Sequence, residues 1–127
     1  MIVLKKDKHS DYQAINDNGT VSIGRSSQSN QDGFSPVDYL CSSVALCMGL
    51  NIDSITERDN LDISSYTIEV SATKAVDARP SRMEKLDVKV ELIGNIDDKT
   101  RSKVIKSAKR GCTIGNTLEH GVPINLV

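Results

Sequence analysis

The sequence predicts an α+β fold in which a predominantly antiparallel sheet packs on two main helices, within one domain spanning residues 1–127. Three observations carry this reading. Two short alternating runs flank an Asn-Gly pair near the N-terminus, and a long apolar-patterned helix opens at Ser35-Pro36. Two more alternating runs then separate that helix from a second, more amphipathic one.

Taken in order, Tyr12-Gln13-Ala14-Ile15 and Thr20-Val21-Ser22-Ile23 bracket Asn18-Gly19, residues that tolerate the positive φ of a tight hairpin. The chain therefore opens with strands. Arg25 to Ser35 is polar and turn-rich, too poor in apolar surface to order itself, and reads as a mobile loop. A helix starts next: Ser35 can accept from an orphan N–H, Pro36 at N1 loses nothing, and Asp38 faces the positive helix end. Val37, Leu40, Cys41, Val44, Met48, Ile52 and Ile55 recur at helical spacing, which carries the helix to about Glu57. It is apolar on more than one side, as expected of a helix buried between two subunits.

Ile68, Val70 and Ala72 alternate with polar residues, and Leu86 to Leu92 repeats the pattern, so the two runs form strands paired across a turn at Arg79-Pro80-Ser81-Arg82. Asp97 or Asp98 caps the second helix, whose apolar stripe of Val104, Ile105 and Ala108 ends at Cys112, placing that cysteine at its inner C-terminal edge. Pro123 to Val127 supplies a closing edge strand.

Composition narrows the function. With one Phe, three Tyr and no Trp, a chain that is 38% hydrophobic must build an aliphatic core. Sixteen basic residues against seventeen acidic ones, without a dense basic cluster, argue against nucleic acid as a partner. The apolar run after Met1 is too short for a signal peptide, and no stretch approaches the roughly 18 to 20 apolar residues that cross a membrane. Three cysteines make an odd set without zinc-ligand spacing, which points to free thiols in a reducing compartment, the cytoplasm. His9 and His120 have no second ligand at metal-binding spacing, so no metal is expected. Ser42 and Ser43 lack nucleophile-elbow glycines, so a serine hydrolase is not supported.

Read alone, Cys47 is a helix cysteine on the buried side, where a thiol is usually inert, and Cys41 reads as core. The frame around the cysteines changes the weighing. Pro36 starts a helix that carries Cys47. Cys112 follows a second helix and precedes a Leu118-containing turn and the apolar Val122 to Val127. The strand pair between them carries the Ala78-Arg79-Pro80 turn. From Tyr12 onward this order resembles the OsmC/Ohr hydroperoxide-reductase family.

The resemblance implies an intertwined homodimer in which Cys47 attacks an organic hydroperoxide and Cys112 resolves the product to a disulfide that a dithiol reductant reopens. No cofactor is implied. The family's arginine near the N-terminus has no motif match here, which leaves Arg25 as the candidate to hold the thiolate. The family's glutamate falls where this chain has Val37, with Asp38 displaced by one. At about 100° per residue Asp38 and Cys47 face opposite sides of the helix, so Asp38 reads first as a cap and only second as a catalytic partner. Many members carry Pro after the second cysteine, where this chain has Thr113. For bulky hydroperoxides, Val37, Leu40 and Met48 are expected to line an apolar cleft. A non-catalytic binding protein and a redox sensor of the same fold stay open beside the peroxidase.

Overall fold

The computed structural model describes all 127 residues, which divide into two compact units, Met1–Leu40 and Cys41–Val127. In the first unit, β1 (Val3–Lys5), β2 (Tyr12–Ile15) and β3 (Val21–Gly24) form an antiparallel sheet in that order. β2 and β3 pair from Tyr12↔Gly24 to Ile15↔Val21. Their turn is longer than a tight Asn-Gly hairpin. Gly19 alone takes a positive φ, of 80°, while the Asn16 side chain accepts the N–H groups of Asn18 and Thr20 at 3.0 and 2.9 Å.

The polar segment after β3 is tied down by contacts that its composition does not advertise. Phe34 bridges Gly24 in parallel register and stacks at a tilt on Tyr39, with ring centroids 5.6 Å apart. Arg25 donates to the carbonyls of Ser26, Ser29 and Gly33 at 3.0 to 3.1 Å.

α1 (Pro36–Arg58) begins as the sequence predicts. Asp38 accepts the Ser35 N–H at 2.9 Å and Ser35 Oγ accepts the Asp38 N–H at 3.2 Å, a reciprocal cap. Within the second unit the helix buries Val44, Met48, Ile52 and Ile55 on one stripe, whereas Leu46 and Leu50 on another face are 66% and 58% exposed.

The stripe packs in one aliphatic cluster with Leu92, Val104, Ala108 and Cys112. β4 (Ile63–Lys74) and β5 (Met83–Gly94) supply the sheet side of this core as an antiparallel pair. Tyr66, Ile68, Val70, Leu86 and Val90 face it. Asp97 caps α2 (Asp98–Arg110) by accepting the Thr100 N–H at 2.7 Å, and Val104 and Ala108 are buried from it.

The fold is α+β as expected, its antiparallel strands lying in two sheets, of three and two strands. Other expectations are corrected. Cys112 does not lie on α2, because Gly111 ends that helix, donating its N–H to Ser107 O at 3.0 Å. The chain re-enters helix at once as α3 (Thr113–His120), which had read as a turn. Pro123 to Val127 forms no strand and pairs with neither sheet. No helix is long and apolar enough to cross a membrane.

Gly94, at the end of β5, lies so close to the Asp62 carbonyl that a Cβ there would overlap it. Gly94→Ala is therefore expected to lower stability by about 1–3 kcal/mol. A urea titration should show this as a lower midpoint with an unchanged slope. An unchanged midpoint would mean that the β4 start yields freely.

Candidate active site

Cys47 sits at the edge of the α1 stripe, half-buried and packed against the core cluster that contains Cys112. One turn further on, Asn51 donates from Nδ2 to Ala108 O at 3.0 Å, tying α1 to the last turn of α2. This tie fixes where the chain emerges from α2, and hence where Cys112 stands. Asn51 went unnoticed in the sequence because a lone polar residue on a helix carries no signal of its partner 57 residues away.

Cys112 is the N-cap of α3. Its backbone is extended, with φ −73° and ψ 101°, and its Sγ accepts the Gly115 N–H at 3.2 Å. Sulfur is an unusual cap, since oxygen side chains dominate that position. The Ile114 backbone, and behind it that of Thr113, favours the ionised Cys47 thiol, and Ile114 acts on Cys112 as well.

The two thiols are pushed in opposite directions. The Ile114 N–H, with help from the Cys112 thiol and the Thr113 N–H, holds Cys47 below the ordinary thiol range against the opposing effect of burial. Burial pushes Cys112 up, with the Cys47 sulfur beside it acting in the same direction and the Gly115 N–H opposing. The two shifts favour ionisation of Cys47 over that of Cys112. Neither is in a disulfide.

Arg25 and Asp38 come together as a pair in the first unit. Arg25 Nη2 lies 3.3 Å from Asp38 Oδ2. The Asp38 carboxyl is held below its usual range by the Ser35 N–H and hydroxyl first, and then by the guanidinium. The hydrogen bonds that Arg25 makes run to residues 26–38. A concavity of about 980 Å³ also lies in this unit, lined by Ile2, Leu4, Tyr12, Phe34 and Tyr39 among others. Val37, Leu40 and Met48, expected to line a cleft, are not among its walls, and Met48 is buried in the core of the second unit.

Residues 29–127 match the family described as OsmC-like protein. The chain belongs to that family. Cys47, Cys112 and Asp38 fall inside the matched stretch and Arg25 falls outside it. The fold of this OsmC-like chain is shared by an OsmC-like protein from Mycoplasma pneumoniae, 17% identical, with a TM-score of 0.81 over 94% of this chain and 86% of that one. An organic hydroperoxide resistance protein of Bacillus subtilis is 15% identical, with a TM-score of 0.68 over 96% and 91% of the two chains. Another, from Elizabethkingia anophelis, is 13% identical, with a TM-score of 0.73 over 92% and 86%. No curated protein matches the chain.

The opposed shifts predict distinct pH profiles. Lowering the pKa of Cys47 puts its thiolate, and its alkylation, at lower pH than for an ordinary thiol. Raising that of Cys112 moves its alkylation to higher pH. Iodoacetamide labelling resolved by peptide mass, against the unfolded chain as reference, should show Cys47 reacting first as pH rises. Coincident profiles would count against the assignment.

Proposed function

We propose that this OsmC-like chain reduces organic hydroperoxides with Cys47 as the attacking and Cys112 as the resolving thiol, in defence against oxidative stress. The observation that carries the reading is the start of α3, where the Cys112 sulfur is buried and accepts the Gly115 N–H, together with the opposed shifts of the two thiols, Cys47 down and Cys112 up. An attacking sulfur must be a thiolate, whereas a resolving one need only be adjacent. The two structural relatives named organic hydroperoxide resistance proteins support the substrate class.

The chemistry balances without metal or bound cofactor. The Cys47 thiolate attacks the outer peroxide oxygen, the O–O bond breaks, and the alkoxide leaves and takes up a proton as the alcohol. The Cys47 sulfenic acid then condenses with the Cys112 thiol, giving the disulfide and one water. A dithiol reductant returns both thiols and becomes a disulfide itself. A redox sensor would stop after one such cycle, and a binding protein would not enter it.

The working unit in this reading is a homodimer. Leu46 and Leu50 on α1, and Ile124 and Leu126 in the C-terminal segment, are apolar and exposed, and a second copy would cover them. Each leucine so buried contributes about 1.5–3 kcal/mol. Sedimentation at micromolar concentration should give a dimer that Leu50→Glu dissociates. A wild-type monomer would remove this part of the reading.

Cysteine replacements separate the roles. Cys47→Ser should abolish hydroperoxide consumption. Cys112→Ser should consume about one equivalent and leave a sulfenic acid at Cys47 that a dimedone-type probe traps. Cys41→Ser should keep turnover with a dithiol. No label in Cys112→Ser would sink the peroxidase and favour the binding protein. In the same assay Arg25→Ala should loosen segment 26–34 while Cys47 still labels, because the guanidinium is engaged by loop carbonyls and Asp38. Lost labelling would instead make Arg25 the partner of the thiolate.

A further inference from the structure

α2 carries six of the chain's sixteen basic residues and only one of its seventeen acidic ones. Two of the six are occupied. Arg101 turns inward to the carbonyls of Leu92 and Ile96, and Lys109 pairs with Glu119 at 3.1 Å. Lys99, Lys103, Lys106 and Arg110 remain, all exposed and in none of the chain's ion pairs. Their spacing of four, three and four places them within an arc of about 60° and along about 16 Å of helix. The carboxylate that Lys103 influences, Asp59, is itself bound to Arg58 at 2.8 Å.

Helix stability does not account for this row. Like charges three or four residues apart weaken a helix, and the macrodipole that favours Arg110 in the last turn opposes Lys99 in the first. The row faces away from Val104 and Ala108, which are buried against the apolar stripe of α1. Leu46 and Leu50 lie on the far side of α1 from that stripe, so a second copy seated on them leaves the basic face open.

The row ends beside a thiol. Arg110 stands two residues before Cys112, and its carbonyl accepts the Asn116 Nδ2 of α3 at 3.1 Å. Cys112 is only 1% exposed, so a dithiol reaches it only from close against the surrounding surface. The charge distribution also selects what can be held there. Outside α2 acidic residues outnumber basic ones sixteen to ten, which turns away a long polyanion, and the row has no apolar side chain to enter a bilayer. A compact acidic protein fits both conditions.

We propose that Lys99, Lys103, Lys106 and Arg110 form the docking face for an acidic protein that carries the reducing dithiol. The proposal rests on the Cys47–Cys112 pairing put forward above and adds the surface at which its reductant binds. In the exchange one partner thiolate attacks a sulfur of the disulfide, the S–S bond breaks, and the released thiolate takes up a proton. The second partner thiol then closes the partner's own disulfide, so the chain gains two electrons and two protons. Short-lived redox encounters of this kind bury little area and depend on charge to bring the partners together.

The test uses two synthetic peptides with a Cys-Gly-Pro-Cys core, one flanked on both sides by four glutamates and the other by four glutamines. The full chain is oxidised with diamide, and intact mass with peptide mapping marks the Cys47–Cys112 disulfide. Each peptide's rate of reducing it is measured in about 10 mM and about 1 M salt, for the wild type and for Lys103→Glu/Lys106→Glu. The quantity read is the ratio of the Glu-peptide rate to the Gln-peptide rate, because comparing it between the two proteins cancels what glutamates do to the peptide's own thiols. At low salt this ratio should be about tenfold lower in the variant, at high salt the two proteins should agree, and dithiothreitol should reduce both alike. Equal ratios at low salt overturn the docking face. If diamide does not join the two sulfurs, the pairing falls, and serine-for-cysteine versions of the peptides read the surface by fluorescence anisotropy. Glu peptide bound by the wild type and lost in the variant upholds the face, and no binding overturns it. Anionic vesicles or duplex DNA held by the row in place of the Glu peptide overturn it too. No hydroperoxide enters the assay, so failure of the peroxidase reading leaves its result intact.

Discussion

The start of α3 is the constraint on which the site depends. The first N–H groups of a helix have no partner within it, and here that of Gly115 is met by the Cys112 sulfur. The same helix start lowers the pKa of Cys47 and opposes the rise that burial gives Cys112. Folding and chemistry are therefore not separate here, because a change at either sulfur alters what begins the helix, and a change in the helix alters what the sulfur can do.

The rest of the second unit holds the two sulfurs to this meeting. The α1 stripe of Val44, Met48, Ile52 and Ile55 fixes the azimuth of Cys47, since one helical face can be buried only one way against Leu92, Val104 and Ala108. Asn51 then fixes the end of α2, and Gly111 turns the chain so that Cys112 points back toward α1. An aliphatic core suits this task. Branched side chains have few rotamers, so the stripe tolerates little rotation of the helix that carries Cys47.

Much of this was legible in the residues and some was not, for physical reasons. Ser35, Pro36 and Asp38 mark the start of α1 because a cap is a local interaction written within four residues. The β4–β5 pair was legible because alternation is local as well. α3 was hidden: Gly115 and Asn116 look like turn residues, and a cysteine is a weak signal for a cap position that oxygen side chains dominate. Arg25 illustrates the converse. Its polar surroundings suggest a solvated side chain, yet three carbonyls and a carboxylate surround it. Met48 shows the limit of periodicity, which marks an apolar position without saying whether it lines a cleft or fills the core.

Backbone donors differ from a guanidinium in a way that matters for a thiolate. An arginine must be ordered at the sulfur, at a loss of side-chain freedom that can reach about 2 kcal/mol. The N–H groups of Thr113 and Ile114 are already fixed by the helix that follows them. They also carry only partial charge, so they favour the thiolate without binding it as firmly as a full cation would. Lowering the pKa of a thiol lowers its intrinsic nucleophilicity by a little under half as much on the logarithmic scale, so moderate stabilisation leaves a sulfur both ionised and reactive. The first turn of a short helix therefore favours ionisation of Cys47 without a charged side chain, and at Thr113 it does so through an N–H that a proline in that position would lack.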